Sequence, residues 1–170
     1  MKPYVISGIV GALLGISFKL FLFLTERFNV QSLIFSNVME LGIVALVPVF
    51  ASIYQYKYDS RLGFEQRFKP ILGASLITTL AFAGFAYVYF AYINPDFAGH
   101  FVMENEAIIR QNSPKPEDFK MRVDFYLSHF QPLNQATSAA FGMFFVGLLF
   151  SLLSAAFSGF FKGTAIKKID

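Results

Sequence analysis

The chain has 170 residues, of which 55% are hydrophobic and only 15% charged, with a mean hydropathy of +0.54 and a net charge of +3. Soluble domains carry about 25% charged residues, and here charge is nearly missing from four long stretches, which places the chain in the membrane class. The basic residues sit at the ends of apolar runs and form no single patch, which argues against a nucleic-acid partner, and the absence of cysteine removes any disulfide framework, thiolate nucleophile or zinc cluster.

A helix needs roughly 20 apolar residues to cross a bilayer. The first qualifying stretch is 5–24. Lys2 ahead of an apolar run resembles a signal peptide, but apolar character resumes after Lys19 and "TERFNVQS" has no small-x-small cleavage site. It is therefore read as a retained span. Counting back from Lys19 by helical steps gives Gly15, Gly11 and Gly8, a face that lets another backbone approach closely. Lys19 is thus expected to point at a partner helix.

The second span is 33–54, joined to the first by a short connector, 25–32. An antiparallel hairpin with its turn near residues 29–30 brings position 19 level with Glu40. Ser36 and Asn37 lie on the Glu40 side of the helix, so a Lys19–Glu40 ion pair is expected, lined by a polar stripe. The alternative is that each charge reaches the interface alone. Pro48, two turns further on, frees the carbonyl of Val44. Both a packing kink and an ion-binding role fit it.

The third span is 70–93. Its polar residues Ser75, Thr78 and Thr79 are expected to bond mainly within their own helix, so they give no continuous polar track. A long connector, 94–137, follows. Pro95 marks the end of the span and Asp96 is a candidate helix N-cap. Within it, "SPKPEDFKMRVDFYLSHFQP" has acids in a first turn, then Phe119, Val123, Tyr126, Leu127 and Phe130 at helical spacing. This predicts an amphipathic helix over 115–130, lying on the bilayer or capping the bundle.

The fourth span is 138–161. Gly147, Ser151, Ala155, Gly159 and Gly163 recur every fourth residue, a small-residue ridge that marks a close helix interface, either within the chain or between copies. The fold class expected is an all-α membrane protein: a four-transmembrane-helix bundle in a single domain, 1–170, with an amphipathic helical outer connector between spans 3 and 4.

No phosphate-binding, zincin, nucleophile-elbow or dinucleotide motif occurs, so no catalytic, cofactor-binding or metal residues are assigned and the chain is not read as an enzyme. His100 with Glu104, and His129, are read as interfacial surface residues. Tyr4, Tyr54, Tyr56 and Tyr58 at one level, and Tyr87, Tyr89 and Tyr92 at the other, suggest two aromatic belts.

The stretches "GIVGALLGI", "LGFEQRFKPILGAS" and "YINPDF", the connector segment quoted above, the small-residue fourth span and the Lys-rich tail together resemble a family catalogued as domain of unknown function 4199. The resemblance implies four spans in a bacterial inner membrane, largely in Bacteroidota, and implies no activity or catalytic residue. The expected role is a non-catalytic membrane protein that packs with the lipid bilayer and with itself or another membrane protein. The alternative is a small ion- or proton-coupled transporter, or a transporter subunit, using Lys19 and Glu40. No cofactor is expected.

With four spans, Lys2, Lys57, Arg61, Arg67, Lys69, Lys162, Lys167 and Lys168 share one side. Arg27, Arg110, Lys115, Lys120 and Arg122 share the other. Basic residues favour the cytoplasmic side, so both termini are expected there. Topology reporters fused after Lys69 and after Asp170 should read cytoplasmic, and one at Asn112 external. A cytoplasmic reading at Asn112 would sink the four-span topology.

Overall fold

The computed structural model describes residues 2–25, 30–58 and 62–158. Those residues form helices α1 (Pro3–Leu24), α2 (Val30–Tyr58), α3 (Phe64–Val88), α4 (Phe97–Glu104), α5 (Glu106–Gln111), α6 (Pro116–His129) and α7 (Pro132–Phe157), with a wide π turn, Tyr89–Ile93, prolonging α3. No strand occurs among them. Four helices are long and apolar enough to cross a membrane: α1, α2, α3 with its π turn, and α7. Their outward faces are apolar as well: Leu13, Leu80 and Phe145 are 58%, 67% and 63% exposed. A bundle facing water would carry polar residues there, so the chain is an all-α integral membrane protein.

The span ends differ from the sequence reading in informative ways. The third span starts at Phe64, six residues before the expected 70, because Glu65, Arg67 and Lys69 mask a helical turn from a hydropathy count. Glu65 and Lys69 form an i,i+4 ion pair of 2.6 Å. Pro70 then lies inside the helix and leaves the Gln66 carbonyl without its usual donor. The side-chain amide of Gln55 on α2 donates to that carbonyl instead, at 2.9 Å. The fourth span starts at Pro132, not 138, with Pro at the first helical position. Residues 159–161 of that span, with Gly159 and Gly163, lie outside the described residues, as does the hairpin turn expected near Asn29.

The connector is more helical than expected. Besides α6, close to the expected 115–130, it contains α4 and α5. Asp96 stands at the N-cap of α4 but makes no side-chain cap bond. The connector folds back on the end of the bundle that carries the π turn. Phe97 of α4 and Phe130 at the end of α6 pack on Phe90 of the π turn, with ring centroids 5.5 and 6.2 Å away. Tyr89, expected in an interfacial belt, is fully buried in this aromatic cluster. The π turn presents two successive residues, Tyr89 and Phe90, to the interior; Asn94 N–H donates to the Tyr89 carbonyl at 2.8 Å, closing the wide loop.

The glycines on α1 face two neighbours. A Cβ on Gly8 would lie 2.7 Å from the Ala74 carbonyl oxygen of α3; one on Gly11 would collide with Val47 of α2, and one on Gly15 with Phe82 of α3. The ridge on α7 faces inward too. Gly147 sits against Ser75 and Val44, Ser151 is fully buried, and Ala155 packs with Ile71, Ala74, Val47 and Ala51. That part of the ridge is therefore an interface within the chain. The hydroxyls along this seam bond both within their own helices, as expected for α3, and across to the neighbouring ones. Ser151 donates to the Gly147 carbonyl (2.6 Å) and meets Ser75 Oγ at 3.0 Å, and Thr78 donates to the carbonyls of Gly8 (3.0 Å) and Ala74 (3.2 Å).

Gly147→Leu should therefore overpack the α3–α7 contact, since a Cβ alone would come within 3.0 Å of Ser75 Cβ. Overpacking costs about 1–3 kcal/mol. Gly84→Leu, where a Cβ meets nothing within 4 Å, is the control. Thermal unfolding in detergent should show a lower Tm for the first variant and an unchanged Tm for the second. Equal melting of both would contradict the packing described.

Candidate functional site

Lys19 on α1 and Glu40 on α2 meet in the half of the bundle nearest the connector, with Nζ 3.0 Å from Oε1. Their side chains are 5% and 7% exposed. The lysine therefore does not snorkel to the interface. Three neighbours hold the pair. The Ser36 hydroxyl, one turn before Glu40, donates to the same Oε1 at 3.4 Å. The ring of Tyr89 stands 5.8 Å from Nζ and turns its electron-rich face to the cation. Asn94 Nδ2 donates to the Tyr89 hydroxyl at 3.2 Å, fixing that ring.

The pair forms the floor of a cavity of about 250 Å³ whose lining includes Asn37, Gln135, Ser138 and His129, with Leu41, Ala86, Ala139 and Met143 as apolar walls. A second hollow of about 260 Å³ adjoins it through His129 and Ser138 and adds Ser128, Asn134 and Thr137. Together they make a vestibule, polar in part, at the connector end of the bundle. Its rim is tied where α6 meets α7: Asn134 Nδ2 donates to the Ser128 carbonyl (2.7 Å) and Gln135 Nε2 to the His129 carbonyl (2.9 Å).

Beneath the pair the interior is apolar. Val44, Phe82 and Met143 form a buried layer, joined by Ile16, Ile43, Ala139 and Val146. This layer separates the charges from the hydroxyls of Ser75, Thr78 and Ser151.

Of the residues singled out in the sequence, Lys19, Glu40 and Asn37 are brought together at the vestibule. Pro48 does not line it; it is fully buried on α2, beyond the apolar layer that contains Val44. His100 and Glu104 are exposed on α4, and no group of three or more His, Cys, Asp or Glu residues that could hold a metal occurs among the described residues. Tyr89, His129, Gln135 and Ser138 were missed. A fourth span starting at 138 left Gln135 in the connector, and the spacing 135, 138, 142 becomes one helix face only when α7 starts at Pro132.

A family model described as "Protein of unknown function (DUF4199)" matches residues 5–158. No curated protein and no solved structure matches the chain.

Removing one member of a buried pair leaves an uncompensated charge, a loss of about 3–5 kcal/mol in soluble proteins that the polar vestibule reduces here. Lys19→Met and Glu40→Gln should each lower Tm in detergent, and the double variant should recover part of the loss, because the desolvation of the pair is relieved as well. Strictly additive losses would mean that the two side chains are not coupled.

Proposed function

This chain belongs to the family described as protein of unknown function DUF4199, and from that premise we propose that it works as a membrane-embedded binding and packing protein, without catalysis. The observation that carries this reading is the dead-end vestibule: a buried ion pair at its floor, polar walls above, and the Val44, Phe82 and Met143 layer below. The two acid–base groups held together, Lys19 and Glu40, are bonded to each other, and no group of three or more metal-ligating side chains occurs among the described residues. The residues around the vestibule offer one imidazole, His129, exposed at the rim.

The orientation places both termini in the cytoplasm of a bacterium, in its inner membrane, with the vestibule opening outward; the distribution of Lys and Arg supports it. The partners are the lipid bilayer and either a second copy or another membrane protein. The inward-facing ridge of α7 is already occupied within the chain, so a protein partner has the connector available. There Met103, Ile108, Met121 and Phe125 are 73%, 58%, 65% and 62% exposed, beyond what an isolated water-facing surface needs.

One observation favours the transport alternative: the pair lines a cavity large enough for several waters instead of lying in a dry seam. The two readings separate by accessibility, and the natural lack of cysteine makes the test clean. A Ser138→Cys variant in cells should react with a membrane-impermeant thiol reagent from outside. A Ser75→Cys variant, below the apolar layer, should stay unlabelled from either side. Labelling of Ser75→Cys would put a water path through the bundle and favour the transporter.

A further inference from the structure

We propose that the vestibule is a binding site for a small zwitterion, a solute of amino-acid size bearing one ammonium and one carboxylate. This deepens the binding reading above and rests on it. The ion pair keeps unfilled hydrogen-bonding capacity. Lys19 Nζ has three donors, and among the described residues only Glu40 Oε1 accepts from it. An ionised carboxylate has about four acceptor sites, of which Glu40 Oε1 uses two, for Lys19 and the Ser36 hydroxyl. A donor and an acceptor of opposite charge thus sit side by side at the floor of the same cavity.

Charge balance selects the ligand. The floor is neutral as a pair, and the walls around it mix apolar Leu41, Ala86, Ala139 and Met143 with the uncharged polar side chains of Asn37, Gln135 and Ser138. A bare anion on Lys19 or a bare cation on Glu40 would leave one net charge in a poorly solvated place, and that is costly. A zwitterion brings a carboxylate to the ammonium of Lys19 and an ammonium to the remaining acceptor sites of Glu40, and the site stays neutral. Asn37 and Ser138 on the wall can donate or accept, so they suit either end of the solute. A hollow of about 250 Å³, continued by one of about 260 Å³ toward the rim, admits such a molecule and excludes much larger ones.

Gly142 supplies the key variant. It lines the cavity, and a Cβ there meets nothing within 4 Å, so Gly142→Leu fills the space without touching the ion pair. The probes are glycine, β-alanine, acetate and methylammonium, with binding to the detergent-solubilised full chain followed by saturation-transfer NMR. Glycine and β-alanine should give saturable signals, and acetate and methylammonium should bind at least about tenfold more weakly, the loss of one charge-assisted hydrogen bond. Gly142→Leu should abolish zwitterion binding at an unchanged Tm. Glu40→Gln, leaving the floor positive, should turn the preference to acetate, and Lys19→Met should turn it to methylammonium. Equal binding of all four probes to the natural protein, or undiminished binding to Gly142→Leu, would overturn the proposal. Zwitterions that fail to bind a protein whose Ser138→Cys variant labels from outside overturn the occupant alone; failure of both removes the outward vestibule itself.

Discussion

Two opposite charges held 3.0 Å apart inside a membrane bundle constrain everything packed around them. Neither is readily left alone there: a lone Lys costs about 2.5–3.5 kcal/mol at the centre of a spanning helix on insertion scales and less toward its end, where Lys19 lies. The hairpin of α1 and α2 must therefore keep its register, since sliding either helix by one turn would move a charge about 5.4 Å from its partner. Tyr89 adds a second requirement. Its ring reaches Lys19 only because the π turn at the end of α3 turns Tyr89 and Phe90 inward together. The aromatic cluster that joins the connector to the bundle thus rests on the same element that screens the lysine.

Below the pair, a different device holds the bundle. Gly8, Gly11 and Gly15 bring α1 against α2 and α3, while Gly147, Ser151 and Ala155 bring α7 against α3. Lipid tails provide no hydrophobic drive between helices, so close van der Waals contact and short interhelical hydrogen bonds must supply it. The Ser75–Ser151 contact and the Thr78 bond to the Gly8 carbonyl run across these seams. The bundle therefore divides into a charged half near the connector and an opposite half whose helix seams are close-packed, with apolar grooves of about 570 and 330 Å³ beside α2. A site that binds at one face follows naturally from that division.

Hydropathy alone located the four spans, because lipid-facing and buried residues are both apolar and the signal adds over twenty positions. The level of Glu40 opposite Lys19 was readable because a short connector leaves an antiparallel hairpin little freedom of register. The start of α3 was hidden because Glu65, Arg67 and Lys69 sit on its first turns, where hydropathy sees a loop. α4 and α5 were unreadable for another reason: "FAGHFVMENEAIIRQN" has no sustained apolar period, and its helices are held by the contacts of Phe97 with Phe90 and Phe130 and by the packing of α5 against α6. The inward turn of Tyr89 depends on one extra residue in a helical turn, and nothing local announces that. Gln135 and Ser138 became part of a site only once α6 and α7 were tied together by the amides of Asn134 and Gln135.

The central claim is that Lys19 and Glu40 meet within the bilayer-spanning bundle. Solid-state NMR on the chain in lipid bilayers, labelled at Lys ¹⁵Nζ and Glu ¹³Cδ, measures that contact directly. The account predicts one strong nitrogen–carbon dipolar coupling from a buried pair with Nζ and Oε1 3.0 Å apart, lost in both Lys19→Met and Glu40→Gln. The exposed Lys69–Glu65 pair is removed beforehand by Glu65→Gln so that it adds no signal. A spectrum with no coupling that depends on both residues would contradict the account.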